Sequence, residues 1–187
     1  MAMRWLILFL LAPMAAFAQD LRGNDTASNW RVTHYESFGV WNSICDEREE
    51  YGALKQRCYI RRAEVFSYRP KFGAQYVFIT PAPTGVQVEF GIEPGTLFWP
   101  SGFRIDGSDG VVWRTRSPGC LTGLGCTFDG SGADEIIAAM LDGDAYRFVF
   151  RDRHGQAQDL KWPLQQFDAA WSDFQQQAQT RNLLTLQ

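Results

Sequence analysis

The chain has no basic run: 18 Lys and Arg stand against 21 Asp and Glu, for a net charge of −3 over 187 residues. Nucleic acid is held by a positive stripe that neutralises phosphates, so it is excluded as a partner on charge, and anionic membrane surfaces are disfavoured for the same reason. Histidine is scarce. His34 and His154 are the only two, which leaves few bases to activate a serine or cysteine nucleophile. No Gly-x-Ser-x-Gly, His-Glu-x-x-His or Walker sequence occurs. Zinc-type spacing is also missing: twelve residues separate Cys45 from Cys58 and five separate Cys120 from Cys126, whereas a zinc knuckle uses two to four. Neither a metal nor a cofactor is expected. Beyond the N-terminus no apolar run approaches the roughly 20 residues that cross a bilayer, so stable membrane insertion is not expected either.

The single apolar run is instructive. Arg4 precedes an apolar stretch from Trp5 to Phe17, broken by Pro13, and Ala16-Phe17-Ala18 has the small-x-small pattern of a signal peptidase site. Cleavage is expected after Ala18. The residue after the cut is Gln19, not the cysteine a lipoprotein would need. A periplasmic or secreted location follows, and the four cysteines agree with it, because an even count in an exported protein implies disulfides. Of the three connectivities, Cys45–Cys58 and Cys120–Cys126 are favoured because each closes a short local loop. Loops of this size contribute roughly 2–3 kcal/mol each.

Residues 1–18 read as a signal peptide, 19–36 as a loose N-terminal segment, 37–178 as one β domain and 179–187 as a tail. Within the domain, Phe38 to Cys45 and Arg57 to Phe66 read as strands separated by the charged stretch Asp46 to Glu50. Val86, Val88, Phe90 and Ile92 alternate with polar residues and glycine, which turns one face into a core. Gln75–Thr80, Phe103–Asp106, Val111–Thr115, Tyr146–Arg151 and a segment through Leu160 and Trp162 complete about eight strands. Ser131 to Asp134 has capping-box spacing ahead of Ile136, Ile137, Met140 and Leu141, with Gly143 as the stop. After Pro163, Leu164, Phe167, Trp171, Phe174 and Ala178 recur at helical intervals. The expected fold is all-β: an antiparallel sandwich, or a barrel-like variant, with two peripheral α-helices. Trp41, Trp113, Trp162 and Trp171 are expected in its core.

Four segments resemble the invasion-associated locus B family of exported bacterial proteins. They are Phe38-Gly39-Val40-Trp41-Asn42-Ser43-Ile44-Cys45, Gln56-Arg57-Cys58-Tyr59-Ile60, the glycine-spaced stretch from Pro94-Gly95 to Gly107, and Cys120-Leu121-Thr122-Gly123-Leu124-Gly125-Cys126 followed by the Ile136–Leu141 helix. Leu164-Gln165-Gln166-Phe167 departs from the family, which tends to have Leu-x-Gly-Phe there. The resemblance implies an exported, disulfide-bearing, β-rich domain and an association with host-cell invasion. It implies no reaction, substrate or cofactor.

Two candidate sites remain. Leu97-Phe98-Trp99-Pro100 lies between Gly95 and Gly102, where a loop is expected. An exposed Phe98 and Trp99 would suit contact with protein or carbohydrate; the competing expectation is that they fill the space between sheets. Arg151, Arg153 and His154 form the one cluster able to hold an anion. The leading expectation is a non-enzymatic binding protein of the bacterial envelope, with an envelope or host protein or glycan as partner. The alternative is a cell-envelope glycan hydrolase of unrecognised type. Its candidate acids, Glu49-Glu50, Asp134-Glu135 and Asp142 with Asp144, are neighbours in sequence, which does not set the separation across a cleft that such chemistry needs.

Overall fold

The computed structural model describes residues 29–67, 73–91, 97–115 and 126–184. The signal-peptide reading of residues 1–18, Ile92 and Cys120 lie outside the described residues. The described chain folds as two antiparallel sheets and two helices, as the alternation of apolar residues predicts. The sheets are separate and open among the described residues, so the sandwich is favoured over the barrel.

The first sheet opens with β1 (Arg31–Phe38), β2 (Trp41–Glu50) and β3 (Ala53–Ser67). It therefore begins at Arg31, inside the stretch 19–36 expected to be loose. The charged stretch Asp46 to Glu50, expected to separate two strands, is itself strand. The turn is only Tyr51-Gly52, with φ values of 53° and 75°, the two left-handed positions that match the twist of a two-residue hairpin. Charge failed as a loop signal here because Asp46 pairs with Arg57 and Glu47 accepts from Arg31 and Gln56.

β4 (Gly73–Pro81), β5 (Val86–Gly91) and the short β8 (Cys126–Phe128) complete this sheet, in the order β1-β2-β3-β4-β5-β8. The second sheet is built from β6 (Leu97–Gly107), β7 (Gly110–Arg114), β9 (Ala145–Arg151) and β10 (Ala157–Pro163), in the order β10-β9-β6-β7. Leu97 to Pro100 is thus strand and not the expected loop. The backbone of Phe98 lies opposite Phe150, and the register shifts between Phe98 and Phe103. That irregularity absorbs Pro100, which gives no backbone hydrogen to a ladder.

The sheets meet through rings. Phe90 of β5 packs edge-on to Phe103 with centroids 4.6 Å apart, and 5.3 Å from Tyr146. Phe103, Tyr146 and Phe148 stack among themselves, and Trp162 lies 4.6 Å from Phe148. Trp41 and Trp162 are fully buried, while Trp113 and Trp171 are partly buried against the same core. Burying a large aromatic side chain contributes on the order of 2–3 kcal/mol, so this cluster dominates the packing.

Helix α1 (Gly130–Asp142) buries Ala133, Ile136, Ile137, Ala139 and Met140. Its N-cap is Asp129, with no side-chain cap bond; the expected capping box at Ser131 is not formed because the helix has already begun at Gly130. Helix α2 (Phe167–Thr180) buries Phe167, Ala170, Phe174 and Ala178 against β1, β2 and β3. Trp41 is edge-on to Phe167 at 5.1 Å and donates its indole N–H to the carbonyl oxygen of Pro163 at 3.0 Å. His34 Nε2 lies 2.8 Å from Asp173 Oδ2, joining β1 to α2.

Gln166 caps α2 with φ at +66°, in the left-handed region where a side chain costs roughly 1–2 kcal/mol. Glycine adopts this conformation without that cost, and the turn is kept here with glutamine. Gln166→Gly is expected to raise unfolding stability by about 1 kcal/mol in urea titration, since relief of the left-handed strain exceeds glycine's added chain entropy.

Cys45 and Cys58 are bonded to each other directly across β2 and β3, with Cα atoms 4.1 Å apart, and Cys126 is also disulfide-bonded. Replacing Cys45 and Cys58 by serine together should lower stability by about 2–4 kcal/mol, measured by chemical denaturation. The native protein should yield a linked Cys45–Cys58 peptide on non-reducing digestion.

Candidate binding surface

Pairing in the first sheet assigns every residue to a face. Cys45, Cys58, Ile60, Val77, Ile79, Val88 and Phe90 are buried toward the second sheet and α2. Their neighbours in sequence must point the other way. That outer face carries the rung Tyr35, Ile44 and Tyr59, the rung Asn42, Arg61, Phe78 and Glu89, and the rung Ala63, Tyr76 and Gly91. An outward sheet face ordinarily carries polar residues. This one carries a stripe of rings.

Tyr59 and Phe78 pack edge-on at 5.7 Å, and Tyr76 and Phe78 at 5.1 Å. Tyr76 lies across Gly91: a Cβ there would fall 1.7 Å from its ring, so only glycine admits the tyrosine in this position. At the other end of the face the Arg57 guanidinium lies 3.9 Å from the centre of the Trp30 ring, and that of Arg48 lies 4.6 Å from it. Cation–π contacts of this kind are worth about 0.5–1 kcal/mol where exposed.

Asp46 anchors the cluster. Its side chain is buried, and it accepts two bonds from Arg57, at 2.6 and 2.9 Å, and one from the Tyr59 hydroxyl at 3.3 Å. A buried carboxylate needs such partners to remain charged. Burial, and then the Asp46 charge, raise the Tyr59 phenol above its ordinary value of 10.0, against the opposing pull of Arg57 and Arg61. The arrangement offers flat apolar rings, fixed guanidinium planes and a committed carboxylate. It is suited to recognition by stacking and charge-assisted hydrogen bonding.

The sites expected from sequence lie elsewhere. Phe98 and Trp99 sit in β6 of the second sheet, away from this stripe, and their side chains lie outside the described part of the structure. Arg151, Arg153 and His154 meet at the turn between β9 and β10, organised by a carboxylate. Asp152 is buried there and accepts from the backbone N–H groups of His154 and Gln156, each at 2.9 Å, and from the Gln158 amide at 3.0 Å. Arg151 donates to the carbonyl oxygen of Gly155. Burial alone would raise the Asp152 carboxyl, but these donors together hold it below its ordinary value. Among the described residues no cluster of three or more metal-ligating side chains is found, and no helix is long and apolar enough to cross a membrane.

Composition and motif do not single out the outer stripe, because a ring suits either face of a strand. The signal was present: Tyr59 alternates with Cys58 and Ile60, and Tyr76 and Phe78 alternate with Val77 and Ile79. Strands apolar on both faces in a sheet with one covered face mark a second surface.

No family model matches the chain, and no curated protein does. Among solved structures, the chain is similar to the crystal structure of invasion associated protein B from Bartonella henselae. The match has 17% sequence identity and a TM-score of 0.47, covering 79% of this chain and 99% of that one.

Two pH dependences follow. Tyr59 holds its proton more tightly when folded, so its contribution is whole below about pH 10 and is lost as pH rises through the folded value. Tyr59→Phe should therefore flatten the fall in stability above pH 10, with one fewer late-titrating phenol in the ultraviolet difference spectrum. Asp152 has the opposite sign: its contribution is present above about pH 4 and is lost as pH falls through the lowered folded value. Asp152→Ala should cost about 1–3 kcal/mol at pH 7 and least at pH 2, by thermal melts across the range.

Proposed function

We propose that the protein is an exported, non-enzymatic interaction module of the bacterial envelope, and that the outer face of its six-stranded sheet is where it contacts a protein partner. The observation that carries this reading is the combination of Trp30, Tyr59, Tyr76 and Phe78 with Arg48, Arg57 and Arg61 on one face. Tryptophan, tyrosine and arginine are the residues that dominate protein interfaces, because they bury large rigid surfaces at small entropic cost. The Cys45–Cys58 bridge supports an oxidising compartment, periplasmic or extracellular. Cleavage after Ala18 and a Cys120–Cys126 pairing belong to the same proposal. The sequence motifs shared with the invasion-associated locus B family support an invasion- or virulence-associated role.

The test is capture of a partner by purified protein, using photo-crosslinking to bacterial envelope extract and to host-cell surfaces. Tyr76→Ala with Phe78→Ala should leave the fold intact, costing about 1–2 kcal/mol, while crosslinking falls at least about tenfold. Phe98→Ala with Trp99→Ala provides the contrast. If that pair fills the core, each truncation costs about 3–5 kcal/mol. Unchanged crosslinking by the first variant, together with complete loss in a stably folded second variant, would overturn the assignment of the surface. Crosslinking that survives proteolysis of the extract but is competed away by envelope glycan would reassign the partner.

A further inference from the structure

β7 is the last strand of its sheet, and no strand among the described residues pairs with its outer edge. It is short, apolar from Val111 to Trp113, and carries its one charge at Arg114. Val111 is 53% exposed and Val112 is 44% exposed. The register against β6 shifts at Val112, between the pairs Asp106–Val111 and Ile105–Trp113, so the two valines do not follow simple alternation, and both leave apolar surface beside the edge. Trp113, the next residue, is fixed, packing 5.9 Å from both Phe103 and Phe128, so the strand is held rigidly by its ring.

Beside this edge runs helix α1, and between the two lies an open groove of about 1100 Å³. The helical wall presents Glu135, Ala138 and Asp142, spaced by three and four residues and so aligned on one side of the helix. All three are exposed. The two carboxylates stand about 10 Å apart along the helix axis, against Arg114 as the cation of the strand wall. The groove is therefore apolar along its floor, acidic along one side, and bounded on the other by a strand edge that no strand among the described residues pairs with.

We propose that β7 and α1 form a second binding site, distinct from the aromatic face, which takes an extended basic peptide as an added strand. The free edge supplies main-chain hydrogen bonds, the mode in which strand addition gains affinity. Val111 and Val112 receive the peptide's apolar side chains, and Glu135 and Asp142 receive its lysines or arginines. Same-face residues of an extended chain repeat at about 6.6 Å, so basic residues two to four positions apart span the two carboxylates. A five-residue edge engages about five residues of peptide.

The probe is a capped seven-residue peptide of alternating lysine and valine, titrated into isotope-labelled protein and followed by amide chemical shifts. Saturable shifts are expected in Val111 to Arg114 and in Glu135 to Asp142. Glu135→Gln with Asp142→Asn, both on the exposed side of α1, should weaken binding about tenfold and leave the spectrum folded. The same peptide with every backbone nitrogen methylated keeps its charges and should not bind. Equal binding of the methylated peptide would reduce the effect to charge attraction and overturn the proposal, as would shifts that appear elsewhere or not at all. A concentration-dependent dimer in sedimentation that changes in β7 disperse would assign the edge to a second copy of the chain and overturn it equally.

Discussion

The register of β2 against β3 holds the first sheet in place, and two neighbouring rungs lock it. On the core side Cys45 faces Cys58; one residue along each strand, on the outer side, Asp46 faces Arg57. One rung is covalent and the other is a bidentate ion pair with its carboxylate buried. A slip of one residue would turn one cysteine of the pair outward and leave a buried carboxylate without its guanidinium, a loss far larger than any single strand contact. β1 pairs on one flank and β4 on the other, so the same register decides which residues of four strands face the core. The aromatic stripe stands outside because the disulfide stands inside.

The second sheet depends on this frame through packing. Phe90 presents its edge to Phe103 and meets Tyr146 and Phe148 behind it, and Phe66 does the same against Phe150 near the far end of β3. These contacts cross between sheets without any shared strand, and two indole hydrogen bonds cross with them, from Trp41 to the carbonyl oxygen of Pro163 and from Trp162 to the Glu64 carboxylate. Helix α2 then covers the part of β1, β2 and β3 that the four-stranded sheet does not reach, with Trp41 bonded to Pro163 and packed on Phe167. Gln166 accepts a left-handed backbone because the chain must turn from β10 into α2 at that point. The packing gained by Phe167 and Phe174 outweighs the strain of one residue.

Periodicity made the architecture legible. Val86, Val88 and Phe90 announced a half-buried strand, and the spacing of Phe167, Phe174 and Ala178 announced a helix with one apolar side; all six are buried. The Cys45–Cys58 pairing was legible from loop length. Three things were not, and each has a physical reason. Asp46 to Glu50 looked like a loop because charge in sequence gives no sign of a partner eleven residues away. Leu97 to Pro100 looked like a loop because proline and flanking glycines signal a break, whereas a bulged strand tolerates both. The outer stripe of rings was hidden because an aromatic residue reads as core in either face of a strand, and only the pairing partner tells which face it occupies.

The outer rings are not what the fold itself demands. The positions of Tyr59, Tyr76 and Phe78 require residues that suit an extended backbone, and threonine or valine would satisfy that at similar local propensity. Rings facing away from the core contribute little of the burial energy that holds the two sheets together. Gly91 makes the point sharper: glycine is a poor strand former, yet Gly91, at the end of β5, is the residue that lets the Tyr76 ring lie across the sheet. The Arg57 pairing with Asp46 likewise spends a buried carboxylate to hold a guanidinium plane against Trp30, where an apolar pair would stabilise the sheet at least as well. A sheet that accepts a glycine, a buried charge and outward rings on one face is shaped by more than the packing of its core, which is the ground for the contact surface proposed above.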